Sequence, residues 1–196
     1  MPISFKLPSP LITITPFVTS DDIKVIQHTI NEIKQKSNIN IIKKDLFSLF
    51  DERLFLKNKT FSNKIDIIQY LGGKMESLGK VHKNFIKDVI KREKMSSTAF
   101  NNIVAVPHSL HMDASSSCIS IYIPEHPIKW GNSDNIRLIA LIAMDKNNRV
   151  VYRDIYDQFI KVLSNPTNIS TLIKSKNYQD FIEMLYHLIE KQGLEE

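Results

Sequence analysis

Arg92-Glu93-Lys94-Met95-Ser96-Ser97-Thr98-Ala99-Phe100-Asn101-Asn102-Ile103-Val104-Ala105-Val106-Pro107-His108 is the stretch from which the fold can be read. Its first part is a basic helix end that carries Arg92. Ser96 to Thr98 is a polar turn. Ile103 to Val106 is a short apolar run, the pattern of a buried strand. Pro107 has no N–H to give to a ladder, so the strand is expected to stop there. His108 is then left at a strand end, where open α/β sheets place their sites. A neutral imidazole is a nucleophile that can take up a phosphoryl group. A guanidinium is always charged and matches phosphate oxygens in a fork. On residues alone, one histidine after an apolar run is more often structural than chemical. Arg92 is equally explained as a cation at a helix C-terminus, and the two roles are compatible.

Outward from this stretch, helices alternate with strands. Upstream, Ile68, Leu71, Met75 and Leu78 form a helical stripe that Gly72-Gly73 is expected to weaken or bend. Val81, Phe85, Ile86 and Val89 mark the face of the next helix, the one that ends at Arg92. Downstream, a polar turn runs from Ser109 to Ser117. Cys118 to Ile123 alternates and reads as a half-buried strand, ended by Pro124 and Pro127. Trp130, the only tryptophan, is expected at the sheet edge. Ile136 to Met144 reads as a central buried strand. Asp145 to Arg149 is a turn. A helix follows, carrying Tyr152, Ile155, Tyr156, Phe159, Val162 and Leu163, and Asn165-Pro166 stops it. Tyr178, Phe181, Ile182, Leu185, Leu188 and Ile189 are the stripe of a last helix. The class is therefore α/β, with helices on both faces of a sheet.

Residues 1–36 read as a separate strand–helix piece. Leu11-Ile12-Thr13-Ile14-Thr15 alternates like a strand and ends at Pro16. Ser20 is the expected N-cap of a helix, with Asp21 and Asp22 in its first turn and Ile23, Ile26, Ile30 and Ile33 on one face. Residues 37–47 read as a linker. Phe47, Leu49 and Phe50 suggest a short strand or turn against the sheet.

Composition narrows the function. The chain has 196 residues, 42% of them hydrophobic, enough for one ordinary domain with an extension. No apolar run is long enough to span a membrane, and the first residues lack the parts of a signal peptide. Cys118 is the single cysteine, which excludes an internal disulfide and fits a reducing cytoplasm. It reads as a small core residue. The net charge of +5 comes from lysines spread along helices, so a solvated surface is expected and direct nucleic-acid contact is not. There is no glycine-rich phosphate loop and no clustered metal-ligand set, so no cofactor or metal is expected.

Arg92-Glu93, Thr98 and Ala105-Val106-Pro107-His108 together resemble the signature of the fructose/mannitol-type enzyme IIA domain of the bacterial phosphotransferase system. The similarity extends to Val81-His82-Lys83-Asn84-Phe85 and Pro127-Ile128-Lys129-Trp130, and covers about residues 40 to 192. It implies a central mixed β-sheet flanked by helices over residues 48–196. It also implies that His108 accepts phosphate from HPr, the small histidine phosphocarrier protein, and passes it to a IIB cysteine. Arg92 would steady the phosphate, with Ser97, Thr98 and His111 in support. Family members commonly hold a second histidine after the last strand, where this chain has Tyr152. His82, His126 and His187 carry less weight than His111. Leu11-Ile12-Thr13-Ile14-Thr15-Pro16-Phe17-Val18-Thr19 is similar to the end of the IIB-like domain that precedes a IIA-like domain in sugar-operon regulators.

Three readings follow, in order. The first is the IIA-like domain of a BglG-type antiterminator or related transcriptional regulator. The second is a stand-alone enzyme IIA component feeding a sugar permease. The third is an interaction module that is not phosphorylated. All three place the chain in the cytoplasm, and a homodimer stays open.

Overall fold

The computed structural model describes residues 19–146 and 149–194; the side chains of 31–43, 149–155, 193 and 194 fall outside that description. The strand expected over Leu11–Thr15 lies outside the described residues. Contacts divide the chain into two compact units, Met1–Asn40 and Ile41–Glu196.

Helix α1 (Ser20–Phe47), which starts in the first unit, begins one residue earlier than the sequence suggests. Thr19, not Ser20, is the cap. Its hydroxyl accepts the Asp22 N–H at 3.2 Å, and the Asp22 carboxylate accepts the Thr19 N–H at 2.8 Å, a reciprocal capping box. Ile23 and Ile30 of the expected apolar face are exposed, as is Val25. Residues 37–47, read as linker, are the last part of α1.

The second unit is built on a five-stranded mixed sheet in the order β1-β4-β7-β3-β2. Its strands are β1 (Phe50–Lys57), β2 (Ala99–Phe100), β3 (Val104–Ala105), β4 (Cys118–Ile123) and β7 (Leu138–Ala143). β1 runs parallel to β4, β4 antiparallel to β7, and β3 parallel to β7. β5 (Ile128–Trp130) and β6 (Ser133–Ile136) pair as a separate two-stranded sheet. Helices α2 (Lys64–Ser77) and α3 (Phe85–Met95) precede β2; α4 (Arg149–Ser164), α5 (Pro166–Leu172) and α6 (Tyr178–Leu194) follow β7.

The two faces of β4 and β7 separate with a period of two, as strand geometry requires. Ile119, Ile121, Ile123, Leu138, Ala140 and Ile142 pack with Phe159, Val162, Leu172, Phe181 and Leu185 of α4, α5 and α6. Cys118, Tyr122, Ile139, Leu141 and Ala143 pack with Ile67, Leu71, Met75, Phe85 and Val89 of α2 and α3. Each fully buried phenylalanine contributes roughly 2–3 kcal/mol of hydrophobic stabilisation.

β4 was expected to be half-buried and is buried along its whole length. Ser120 gives it an alternating look, but its hydroxyl donates to the Leu54 carbonyl at 2.8 Å, so the polar group is satisfied inside. Cys118 is core, and burial pushes its thiol up to about 12. Trp130 is not at the sheet edge. It is fully buried against α2 and α3.

Gly72-Gly73 neither breaks nor ends α2. A Cβ on Gly72 would stand 2.6 Å from Cγ1 of Ile86 on α3, whereas one on Gly73 would meet nothing within 4 Å. At Gly72, therefore, Ile86 of α3 packs too close to α2 to leave room for a side chain.

Candidate functional site

β3 lies between β7 and the edge strand β2 and releases the chain at Pro107. The release is gradual: Ile142 of β7 donates to the Pro107 carbonyl at 3.0 Å, and His108 still bridges Ile142 in parallel register. His108 is half-buried at the edge of the core. Its Nδ1 lies 2.9 Å from the Val106 carbonyl oxygen. A carbonyl can only accept, so in the neutral ring Nδ1 holds the proton and Nε2 keeps its lone pair. A nucleophilic nitrogen at a strand end is the arrangement needed for an in-line group transfer.

The loop beyond His108 is held from both sides. Ala114 donates to the Met144 carbonyl at 3.1 Å, and Ser115 and Ser116 donate to the Lys80 carbonyl at 2.9 and 3.2 Å. The Ser109 hydroxyl donates to the His111 carbonyl. Leu110 and Met112 are exposed on this loop. His111 is exposed as well, and its ring makes no hydrogen bond among the described residues.

Arg92 occupies the last turn of α3, with one guanidinium nitrogen, Nη1, donating to the Ser96 carbonyl at 2.9 Å. Its other guanidinium N–H groups have no protein acceptor among the described residues. Its charge reaches the half-buried Tyr156 on α4: burial pushes that phenol up, Asp157 adds to the rise, and Arg92 opposes it. No hydrogen bond joins Arg92 to His108.

Ser97 and Thr98 part company. The Ser97 hydroxyl accepts the Ala99 N–H at 3.3 Å and faces Gly131, where a Cβ would come within 2.7 Å of it. Gly131 has φ +64°, so both conformation and space require glycine there. Thr98 is buried, and its hydroxyl donates to Glu93 Oε2 at 2.6 Å. That donor, expected to support a phosphate, is already in use.

Glu93 was read only as the neighbour of Arg92. Its side chain is fully buried and pairs with Lys64 Nζ at 2.7 Å. Its partner lies at the start of α2, too far along the chain for spacing to reveal it. Asp145, just past β7, was read as a turn residue. It is buried, accepts the Ser117 hydroxyl at 3.0 Å, and donates its N–H to the Ser117 oxygen at 3.0 Å. An acid directly after an apolar run was the available signal. Tyr152 lies among the residues whose side chains are not described. Among the described residues no cluster of His, Cys, Asp and Glu could hold a metal, and no helix is long and apolar enough to cross a membrane.

Residues 48–188 match the family described as phosphoenolpyruvate-dependent sugar phosphotransferase system, EIIA 2. The "Probable licABCH operon regulator" of Bacillus subtilis is 28% identical over 184 residues, covering 94% of this chain; the chain spans 27% of that protein's length. The mannitol-specific phosphotransferase enzyme IIA component of the same organism is 31% identical over 129 residues, 64% of this chain and 87% of that one. The crystal structure of IIA mannitol from Escherichia coli has the same fold, with a TM-score of 0.59 at 18% identity over 69% of this chain and 97% of the other.

Proposed function

The chain belongs to the EIIA 2 family of the phosphoenolpyruvate-dependent sugar phosphotransferase system, and on that premise we propose that His108 Nε2 carries the phosphoryl group. The observation behind this choice is the Nδ1–Val106 contact, which leaves Nε2 as the free nucleophile. In the step proposed, Nε2 attacks phosphorus, the P–N bond of the donor's phosphohistidine breaks, and the donor imidazole takes back its electron pair. Nδ1 keeps its proton throughout. Charge spreads over three equatorial oxygens in flight, so the protein's task is to position and to stabilise charge. Arg92 is the group proposed for that, since most of its fork has no protein acceptor among the described residues. HPr is the proposed donor. A IIB cysteine is the proposed acceptor, in keeping with the Escherichia coli complex of enzyme IIAMTL with phosphorylated enzyme IIBMTL, whose IIA partner has this fold.

The setting we propose is the IIA domain of a cytoplasmic sugar-operon regulator, in which phosphorylation of His108 reports sugar supply. The match over nearly the whole chain to a part of the licABCH regulator supports it. The match to almost the full length of the mannitol IIA component supports a second setting, a carrier that feeds a permease. In both, phosphate acceptance is tested by intact-protein mass. The chain is incubated with phosphoenolpyruvate, enzyme I and HPr at neutral-to-basic pH, because phosphohistidine is acid-labile. One added phosphoryl group is expected in wild type and none in His108→Ala; Arg92→Ala should be labelled slowly. Equal labelling of His108→Ala would overturn the site. No labelling of wild type by proven donors would favour an interaction module that takes no phosphate.

A further inference from the structure

A buried carboxylate is costly unless it is paired and hydrogen-bonded, and an apolar replacement often serves stability as well. Glu93 is such a group, and each of its oxygens is committed. Oε1 takes the Lys64 ammonium at 2.7 Å. Oε2 takes both the N–H of Thr98, at 3.1 Å, and its hydroxyl, at 2.6 Å. The line continues along the backbone. The Thr98 carbonyl accepts the Val106 N–H at 3.1 Å. The Val106 carbonyl then accepts His108 Nδ1–H at 2.9 Å. An unbroken run of hydrogen bonds thus joins the start of α2, the end of α3, β2, β3 and the imidazole.

We propose that Glu93 is a positioning residue for His108: through Thr98 and Val106 it aims the carbonyl that fixes the Nδ1–H tautomer and leaves Nε2 open. Lys64 anchors the far end of the line. The consequence for rate rests on the reading of His108 as phosphoryl acceptor; the consequence for tautomer does not.

Glu93→Gln keeps the shape and breaks the pattern, because an amide nitrogen set against an ammonium places donor against donor. The amide cannot serve Lys64 and Thr98 as the carboxylate does. The test reads the His108 ring nitrogens by long-range 1H–15N spectra of the unphosphorylated chain, beside the rate of phosphoryl transfer from phosphorylated HPr. Wild-type His108 is expected in the Nδ1–H form. Glu93→Gln should move it toward the Nε2–H form and slow transfer about tenfold or more, the scale on which small misplacements of a reacting group act. Thr98→Val, which loses the hydroxyl link and keeps the N–H link, should shift both in the same direction by less, and Thr98→Ser should restore both. A wild-type tautomer in Glu93→Gln, with only the melting temperature changed, would make Glu93 a structural residue and overturn the proposal. If Glu93→Gln does not fold, an unchanged tautomer in Thr98→Val is the overturning result. If wild type takes no phosphate, the reading of function fails, and the spectra still decide whether Glu93 sets the ring.

Discussion

Two adjacent glycines in one helix should respond to alanine with opposite signs. In the unfolded chain Gly72→Ala and Gly73→Ala do the same thing, removing backbone freedom, and in a helix interior each is worth about 0.5–1 kcal/mol in favour of alanine. In the folded chain they differ. At Gly73 the new methyl meets open space, so the gain is kept. At Gly72 it falls 2.6 Å from Ile86 Cγ1 and 3.3 Å from Cδ1. Ile86 lies in α3, and a β-branched side chain in a helix has one strongly preferred χ1 rotamer, so it cannot swing clear cheaply. Overpacking of this kind costs about 1–3 kcal/mol. The net expectation is a loss of about 1 kcal/mol for Gly72→Ala against a gain of about 0.5–1 kcal/mol for Gly73→Ala. For a chain of this size that separates the two melting temperatures by about 4–8 °C. Urea and thermal unfolding of the two variants measure it directly. Pairing Gly72→Ala with Ile86→Ala should recover much of the clash term. Two glycines that gain equally from alanine would refute the close approach of α2 and α3.

Two further outcomes are expected. Asn101 and Asn102 form the turn between β2 and β3 with φ of 52° and 54°, and Asn102 makes no side-chain hydrogen bond among the described residues; Asn102→Ala should cost about 1 kcal/mol by urea midpoint and Asn102→Gly less, with equal costs counting against the left-handed turn. The Arg53 guanidinium beside Asp51 holds that carboxyl down at about 2. A depressed carboxyl pKa adds stability above its unfolded value of 3.8 and loses it as pH falls toward 2. Arg53→Ala should therefore be less stable than wild type at pH 7, with the gap closing between 3.8 and 2; a gap that did not change with pH would show that the pair stabilises nothing through charge.

What could be read from the sequence was whatever repeated along it. β7 and α6 announced themselves because an unbroken apolar run and a helical stripe are periodic, and the core lies where they predicted. Of β1 only Phe50 was anticipated, as part of a short strand or turn, because Asp51, Glu52 and Arg53 follow it: an edge strand can turn charge to water, and that erases the alternation. β2 is two residues long and carries no pattern, although the paired asparagines after it were a turn signal. Trp130 was misplaced because its strand pairs with β6 and not with the main sheet. At the candidate site, the placement of His108 just past a strand and of Arg92 in the last turn of a helix was legible through local context. The pairing of Glu93 with Lys64 and Thr98 was not, because it joins residues of different elements.

The order of the strands also bears on the route by which the chain assembles. β4 and β7 are joined through the short β5–β6 pair, so Tyr122 meets Ile139 after closing only a modest loop. β1 is different: Phe50 must find Ile119 across the whole α2–α3–β2–β3 segment, and in parallel orientation. Loop closure costs more the longer the loop, so contacts distant in sequence are favoured late. The β4–β7 ribbon is then the expected nucleus and β1 the last strand to dock. Until it does, β4 shows a bare apolar edge. A nascent chain in that state is open to strand exchange with a second copy, and crowding would favour it.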